Sequence, residues 1–187
     1  MKIGKTLYVD NRKDWRKWLR DHFQTDNEIW LVFPRKHSGK PAIVYNDAVE
    51  EALCFGWIDS IRKKLDEDHS VQRYSPRKPR SNWSQQNIER VRWLLENGLV
   101  HESLVAQYQQ VAAVTFEFPE DILARIQQNE TAWQNYQNFS PAYKRIRIAY
   151  IESGRRRPDE FEKRLKNLIA KTEAGKMIGY GGIDKYY

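Results

Sequence analysis

Every run with strand character in this chain lies before residue 77, and from Ser84 onward the apolar residues recur only at helical spacing. A period of two sends alternate side chains to opposite faces, whereas a period of 3.6 lines one stripe, so the two patterns mark different elements. The switch fixes the fold class as α+β: a small mixed or antiparallel sheet with helices in the N-terminal half, and an all-helical C-terminal region. The portions are read as 1–115 and 116–187, divided near Val114 to Pro119 and expected to form one compact unit.

In the first portion, Thr6 to Val9 suits a short strand. Asp10 or Asn11 then caps a helix whose stripe is Trp15, Trp18, Leu19, His22 and Phe23. "EIWLVFPRK" reads as a strand that stops at Pro34, which has no N–H to donate. Asn46 is placed to cap "DAVEEALCF", with Asp47, Glu50 and Glu51 near the positive end of that helix. Gly56 supplies the left-handed residue a helix end wants. The chain then reverses into the strands "WIDSIRKKL" and "VQRYS", a hairpin around the polar turn "DEDHS".

Ser84 caps "QQNIERVRWLLENG", which Gly98 closes. Helices follow over His101 to Val114, Pro119 to Gln128 and Thr131 to Asn138. Ser140-Pro141 opens another, and Pro158 begins the last, with Phe161, Leu165, Leu168 and Ile169 as its stripe. The tail "GKMIGYGGIDKYY" is too glycine-rich for a helix, and Tyr180, Tyr186 and Tyr187 suit it to docking on the domain.

A single cysteine, Cys54, excludes an internal disulfide and a cysteine-based metal framework. His22, His37, His69 and His101 are scattered without ligand spacing, so neither metal nor cofactor is expected. The first residues lack the apolar core of a signal peptide, and no segment has the run of about 18 apolar residues that a membrane helix needs. A cytoplasmic protein without membrane insertion is expected. The net charge of +7 favours an anionic partner: a small anionic ligand first, nucleic acid second. A protein partner is left open.

One stretch concentrates polar and aromatic residues of the kind that bind ligands. In a strand, Trp57 and Asp59 share one face and Ile58 and Ser60 the other; if Ile58 faces the core, Trp57 and Asp59 face a cleft. The hairpin brings Asp59 or Ser60 opposite Arg73, either as a pair that fixes register or as a carboxylate aiming Arg73 at an anion. Arg77, Lys78, Arg80 and Ser81 then lead to the start of the helix at Ser84, where free N–H groups and the dipole favour negative charge. Trp83 offers a flat face, and Asn87 lies in the first turn. The expected ligand-binding set is therefore Trp57, Asp59, Arg73, Arg77, Ser81, Trp83, Ser84 and Asn87. Each also has a plain structural role: caps for Ser81 and Ser84, a hydrophobic staple for Trp83, solvated arginines.

"EALCFGWIDS", "RYSPRKPRSNWSQQN" and "GYGGIDKYY" together resemble the YdeI/OmpD-associated family of small bacterial proteins, also labelled bacteriocin-protection proteins. The resemblance runs from about Trp30 to Tyr187. In that family a helix enters an F-G-W-I-D step, an R-x-[ST]-P-R and S-x-W-[ST]-x-x-N segment follows, and the C-terminal region is helical. The resemblance implies a link to antimicrobial-peptide or stress tolerance and supplies no established enzyme activity to carry over. A chain of charge +7 repels a cationic peptide, so direct capture is not expected. No catalytic signature is present, so catalytic residues remain unassigned. Three rivals stand beside the ligand pocket: nucleic-acid binding through "KRIR" (144–147) and "RRR" (155–157), an enzyme with Asp59 as acid/base, and a structural or partner-binding protein in which the same motifs are packing devices.

Overall fold

A computed structural model describes residues 2–79, 81–179 and 183–186 of the chain. Its elements run β1 (Thr6–Leu7), α1 (Arg12–His22), β2 (Ile29–Pro34), α2 (Tyr45–Cys54), β3 (Trp57–Lys64), β4 (His69–Pro76), α3 (Gln85–Glu96), α4 (Val105–Ala112), α5 (Glu120–Gln127), α6 (Glu130–Asn138), α7 (Pro141–Glu152) and α8 (Pro158–Glu173). The class is α+β, with the sheet in the N-terminal half and helices toward the C-terminus. Two compact units result, Met1–Asn82 with Leu94–Gln109, and Trp83–Trp93 with Gln110–Tyr187.

In the first unit the sheet has the order β1-β2-β4-β3. It is mixed, because β1 runs parallel to β2 while β2–β4 and β4–β3 are antiparallel. A shift of register between Asp59 and Arg62 makes β3 irregular along its length. Ile29, Leu31 and Tyr74 share the face that packs on α1 and α2, and Trp30, Val32 and Val71 cover the other, so β2 is buried on both sides. The large rings bring polar edges inward, and the Trp15 indole N–H finds a carbonyl there, donating to Ala48 O at 2.9 Å.

Gly56 ends α2 at φ 74°, where any side chain would be strained; an added Cβ would also lie 3.2 Å from Leu104 Cδ1. The last carbonyls of α2 are taken up from later chain, Leu53 O by the Tyr108 hydroxyl (2.8 Å) and Cys54 O by His101 N–H (2.9 Å). These bonds tie residues 94–109 to the sheet-bearing unit.

Two local readings are corrected. Asn46 does not cap α2; Val44 holds that position, and the buried Asn46 amide donates instead to Glu50 Oε1 at 2.8 Å. The helix expected from His101 begins as a 3-10 turn over Glu102–Leu104, in which His101 Nδ1 accepts from Ser103 N–H, and α4 starts at Val105.

The second unit is helical. Ile122 and Ile126 of α5, Ala132 and Tyr136 of α6, Ile148 and Ile151 of α7, and Leu165 and Leu168 of α8 form its core. The caps follow the sequence reading: Ser140 accepts from Tyr143 N–H at 3.1 Å ahead of Pro141, and Ser84 from Asn87 N–H at 3.3 Å. Residues 83–93 belong here through Glu89, which Arg145 of α7 grips at 2.6 and 2.9 Å. Ile183 and Tyr186 of the tail are buried beside Ile146 and Trp93. Tyr180 and Tyr187, the other tail aromatics, lie outside the described residues, as does Arg80.

Candidate functional site

Strand register decides what Asp59 and Arg73 can do. Asp59 pairs with Tyr74, so it shares that residue's face, and Arg73 must point the other way. On the helix-covered face Asp59 accepts from the Tyr45 hydroxyl at 2.6 Å and the Gln72 amide at 3.3 Å. Trp57 lies on this face too, only 1% exposed, with its indole N–H donated to Phe23 O at 3.1 Å. It fills the core. On the opposite face Arg73 Nε binds Glu28 Oε2 at 2.7 Å, and Nη1 reaches Ser60 Oγ and Ser75 Oγ at 3.4 and 3.2 Å. The Arg73 bond holds the Glu28 carboxyl below its ordinary value against the opposing effect of burial. The hairpin thus brings Ser60, not Asp59, to Arg73.

Arg77 folds onto its own loop, its Nη2 donating to Ser81 O at 3.1 Å and Asn82 O at 2.6 Å. Ser81 Oγ donates to Lys78 O at 2.8 Å. This tightens the proline-bordered connection that delivers the chain to α3.

Trp83 and Ser84 come together in the helical unit. They line a groove of roughly 450 Å³ with Gln85 and Gln86 on one side and Phe116 and Tyr150 among the opposing residues. The groove therefore opens on the first turn of a 12-residue helix, the positive end of its dipole, between aromatic side chains. Glu152 at its rim is already engaged by Arg155, at 2.7 Å. Asn87 sits one turn in, where its Oδ1 accepts from Arg90 Nη1 at 2.7 Å.

The basic runs are largely knitted into the fold. Lys144 donates to Gln137 O at 2.8 Å, Arg145 binds Glu89, and Arg147 is buried. Arg155 spans Asp121 and Glu152 at 2.9 and 2.7 Å. Among the described residues no group of three or more His, Cys, Asp and Glu could hold a metal ion. No described helix is long and apolar enough to cross a membrane.

Two arrangements escaped the sequence reading. Arg12 of α1 reaches Asp47, Glu50 and Glu51 of α2 at once, and Arg16 binds Glu51 at 2.6 Å, although the Glu50 side chain is 0% exposed and Glu51 nearly so. The spacing of Arg12 from Arg16 and of Asp47 from Glu51 is i,i+4 in both cases, the signal of two charged faces that meet. The second is a cavity between α7 and α8 that involves Arg147, Tyr150, Lys163 and Arg164. Arg147–Tyr150 and Lys163–Asn167 stand one turn apart on their helices, yet nothing local tells that the two faces confront each other.

Residues 7–107 match the family model described as Domain of unknown function (DUF8412). Residues 115–175 match the family Bacteriocin-protection, YdeI or OmpD-Associated. The second match falls on the C-terminal helices, whereas the F-G-W-I-D and R-Y-S-P-R steps lie within the first. No curated protein and no solved structure is significantly similar to the chain.

Proposed function

We propose a ligand-binding role for this chain, which belongs to the DUF8412 family and whose C-terminal helices belong to the bacteriocin-protection, YdeI or OmpD-associated family. The ligand is a small aromatic anion, held in the groove at the start of α3. One observation carries the reading: a groove of roughly 450 Å³, within the size range of small-molecule sites, joins Trp83, Phe116 and Tyr150 to the first turn of α3. Trp83 supplies a stacking face, and the helix start at Ser84 favours the anionic group, with Asn87 holding Arg90 one turn in. Arg73 and Arg77 act at one remove, fixing strand and loop, and Trp57 and Asp59 support the sheet. The family's printed name suggests protection against bacteriocins as the setting.

The test is thermal unfolding of wild type and Trp83→Ala against nucleotides, phosphosugars, aromatic carboxylates and short oligonucleotides. A ligand present at 100 times its Kd stabilises by about 2.7 kcal/mol, a readily measured shift. An aromatic anion should stabilise the wild type and leave Trp83→Ala unmoved. Equal shifts in both proteins, or none in the wild type, sink the proposal. A response confined to oligonucleotides and lost at high salt would transfer the role to nucleic acid.

A further inference from the structure

The cavity between α7 and α8 differs from the groove in its charge. It measures roughly 230 Å³, and its lining includes three cationic side chains, Arg147, Lys163 and Arg164, against one carboxylate, Glu160. Glu160 is held by Arg164 Nε at 2.8 Å, which cancels one cation and leaves the lining positive. Arg164 is fixed from three directions. It donates to Tyr150 O at 2.7 Å and Ser153 Oγ at 2.9 Å, and its guanidinium lies 3.9 Å from the centre of the Tyr150 ring. Arg147 is 3% exposed, with its guanidinium 5.6 Å from the Tyr143 ring. The two arginines are therefore set before any ligand arrives, which spares part of the ordering cost that weakens most charged sites. Ile151, Leu168 and Ile178 give the cavity an apolar side, where Coulomb attraction is screened less than at an open surface.

We propose that this cavity binds a small phosphate monoester. Arginine and lysine with the Asn167 amide match a tetrahedral oxyanion that accepts several donors at once. The cavity of roughly 230 Å³ has room for a phosphate on a short carbon body. The cavity shares Tyr150 with the groove but does not include Trp83.

The experiment is amide chemical-shift titration of the full chain with inorganic phosphate, glycerol 3-phosphate and glycerol. Glycerol 3-phosphate should shift Tyr150, Lys163 and Asn167 saturably and bind more tightly than phosphate, while glycerol does nothing. Lys163→Glu reverses one exposed charge at the rim and should weaken binding by tenfold or more. Asn167→Asp should act in the same direction, and Trp83→Ala should leave the affinity unchanged. Amides away from the cavity report whether each variant remains folded. Non-saturating shifts spread over the exposed basic residues would overturn the proposal, as would an unaltered affinity in a folded Lys163→Glu chain. Equal affinity for phosphate and its glycerol ester would overturn the ester assignment.

Discussion

Arg12→Ala should be among the most damaging single changes in the sheet-bearing unit. Its guanidinium meets Glu50 Oε2 at 2.9 Å and Asp47 Oδ1 at 3.2 Å, and its Nε serves Glu51. Glu50 would keep the Asn46 amide, and Glu51 would keep Arg16. Breaking a buried pair by removing one partner costs about 3–5 kcal/mol, because the other charge stays buried. The Arg12 side chain is itself 32% exposed, which lets water reach the vacated place and puts the expected loss near the lower bound, about 3 kcal/mol. In a chain of this size each kcal/mol moves Tm by about 2–4 °C, so the drop should be roughly 6–12 °C. Circular dichroism during heating, with urea titration at 25 °C, measures it. Replacing all three groups together, as Arg12→Met with Glu50→Gln and Glu51→Gln, should recover a large part of the loss, since no buried charge then lacks a partner. A loss below about 0.5 kcal/mol in Arg12→Ala, or a triple variant weaker than the single one, would refute the reasoning.

Two further expectations concern titration. Burial, aided by the charge of Glu51 and opposed by Arg16, pushes the Cys54 thiol up to about 12 from an ordinary 9.0. Between those values the unfolded chain releases a proton that the folded chain keeps, so stability should fall as pH rises through that window, and Cys54→Ala should flatten the fall. The native thiol should also resist labelling at pH 8 and react at once in urea. For Glu89 burial acts to raise the carboxyl, but bonds from Arg145 and Gln85 and the charges of Arg145 and Arg92 outweigh it and hold it low. Its contribution is therefore present above the ordinary glutamate value and lost as pH falls through the lowered one. Urea titrations from pH 6 to 3 should show wild type and Glu89→Gln converging at the acid end; parallel curves would contradict this.

Local chemistry made much of the fold legible. Gly56 and Gly98 end their helices as read, and Ser84 and Ser140 cap theirs, because these effects act within one turn. Asn46 was misread because α2 begins at Tyr45, which puts Asn46 inside the first turn, where its amide donates to the buried Glu50. The sheet was harder. Alternation puts Trp57 and Asp59 on one face, but it does not say which face receives the helices, and the choice turned Trp57 from a cleft residue into core. Register likewise separated Asp59 from Arg73. At the candidate groove, Trp83 and Ser84 were visible as a helix start, whereas Phe116 and Tyr150 arrive from segments that only tertiary packing brings near.

Neither compact unit is one unbroken stretch of chain: residues 83–93 go with the helices, and residues 94–109 return to the sheet. Emerging from a ribosome, the sheet-bearing unit stays unfinished until Tyr108 is out to occupy Leu53 O. By then residues 83–93 are already committed to helices that do not yet exist. A cut anywhere between residues 83 and 109 would strip one unit of part of its own interior. The boundary between the two family matches, between residues 107 and 115, therefore falls at the far end of the segment that the units exchange, not between the units. The groove at Trp83 sits on the exchanged segment, so a chain cut after residue 93 would keep its helix start and lose Phe116 and Tyr150.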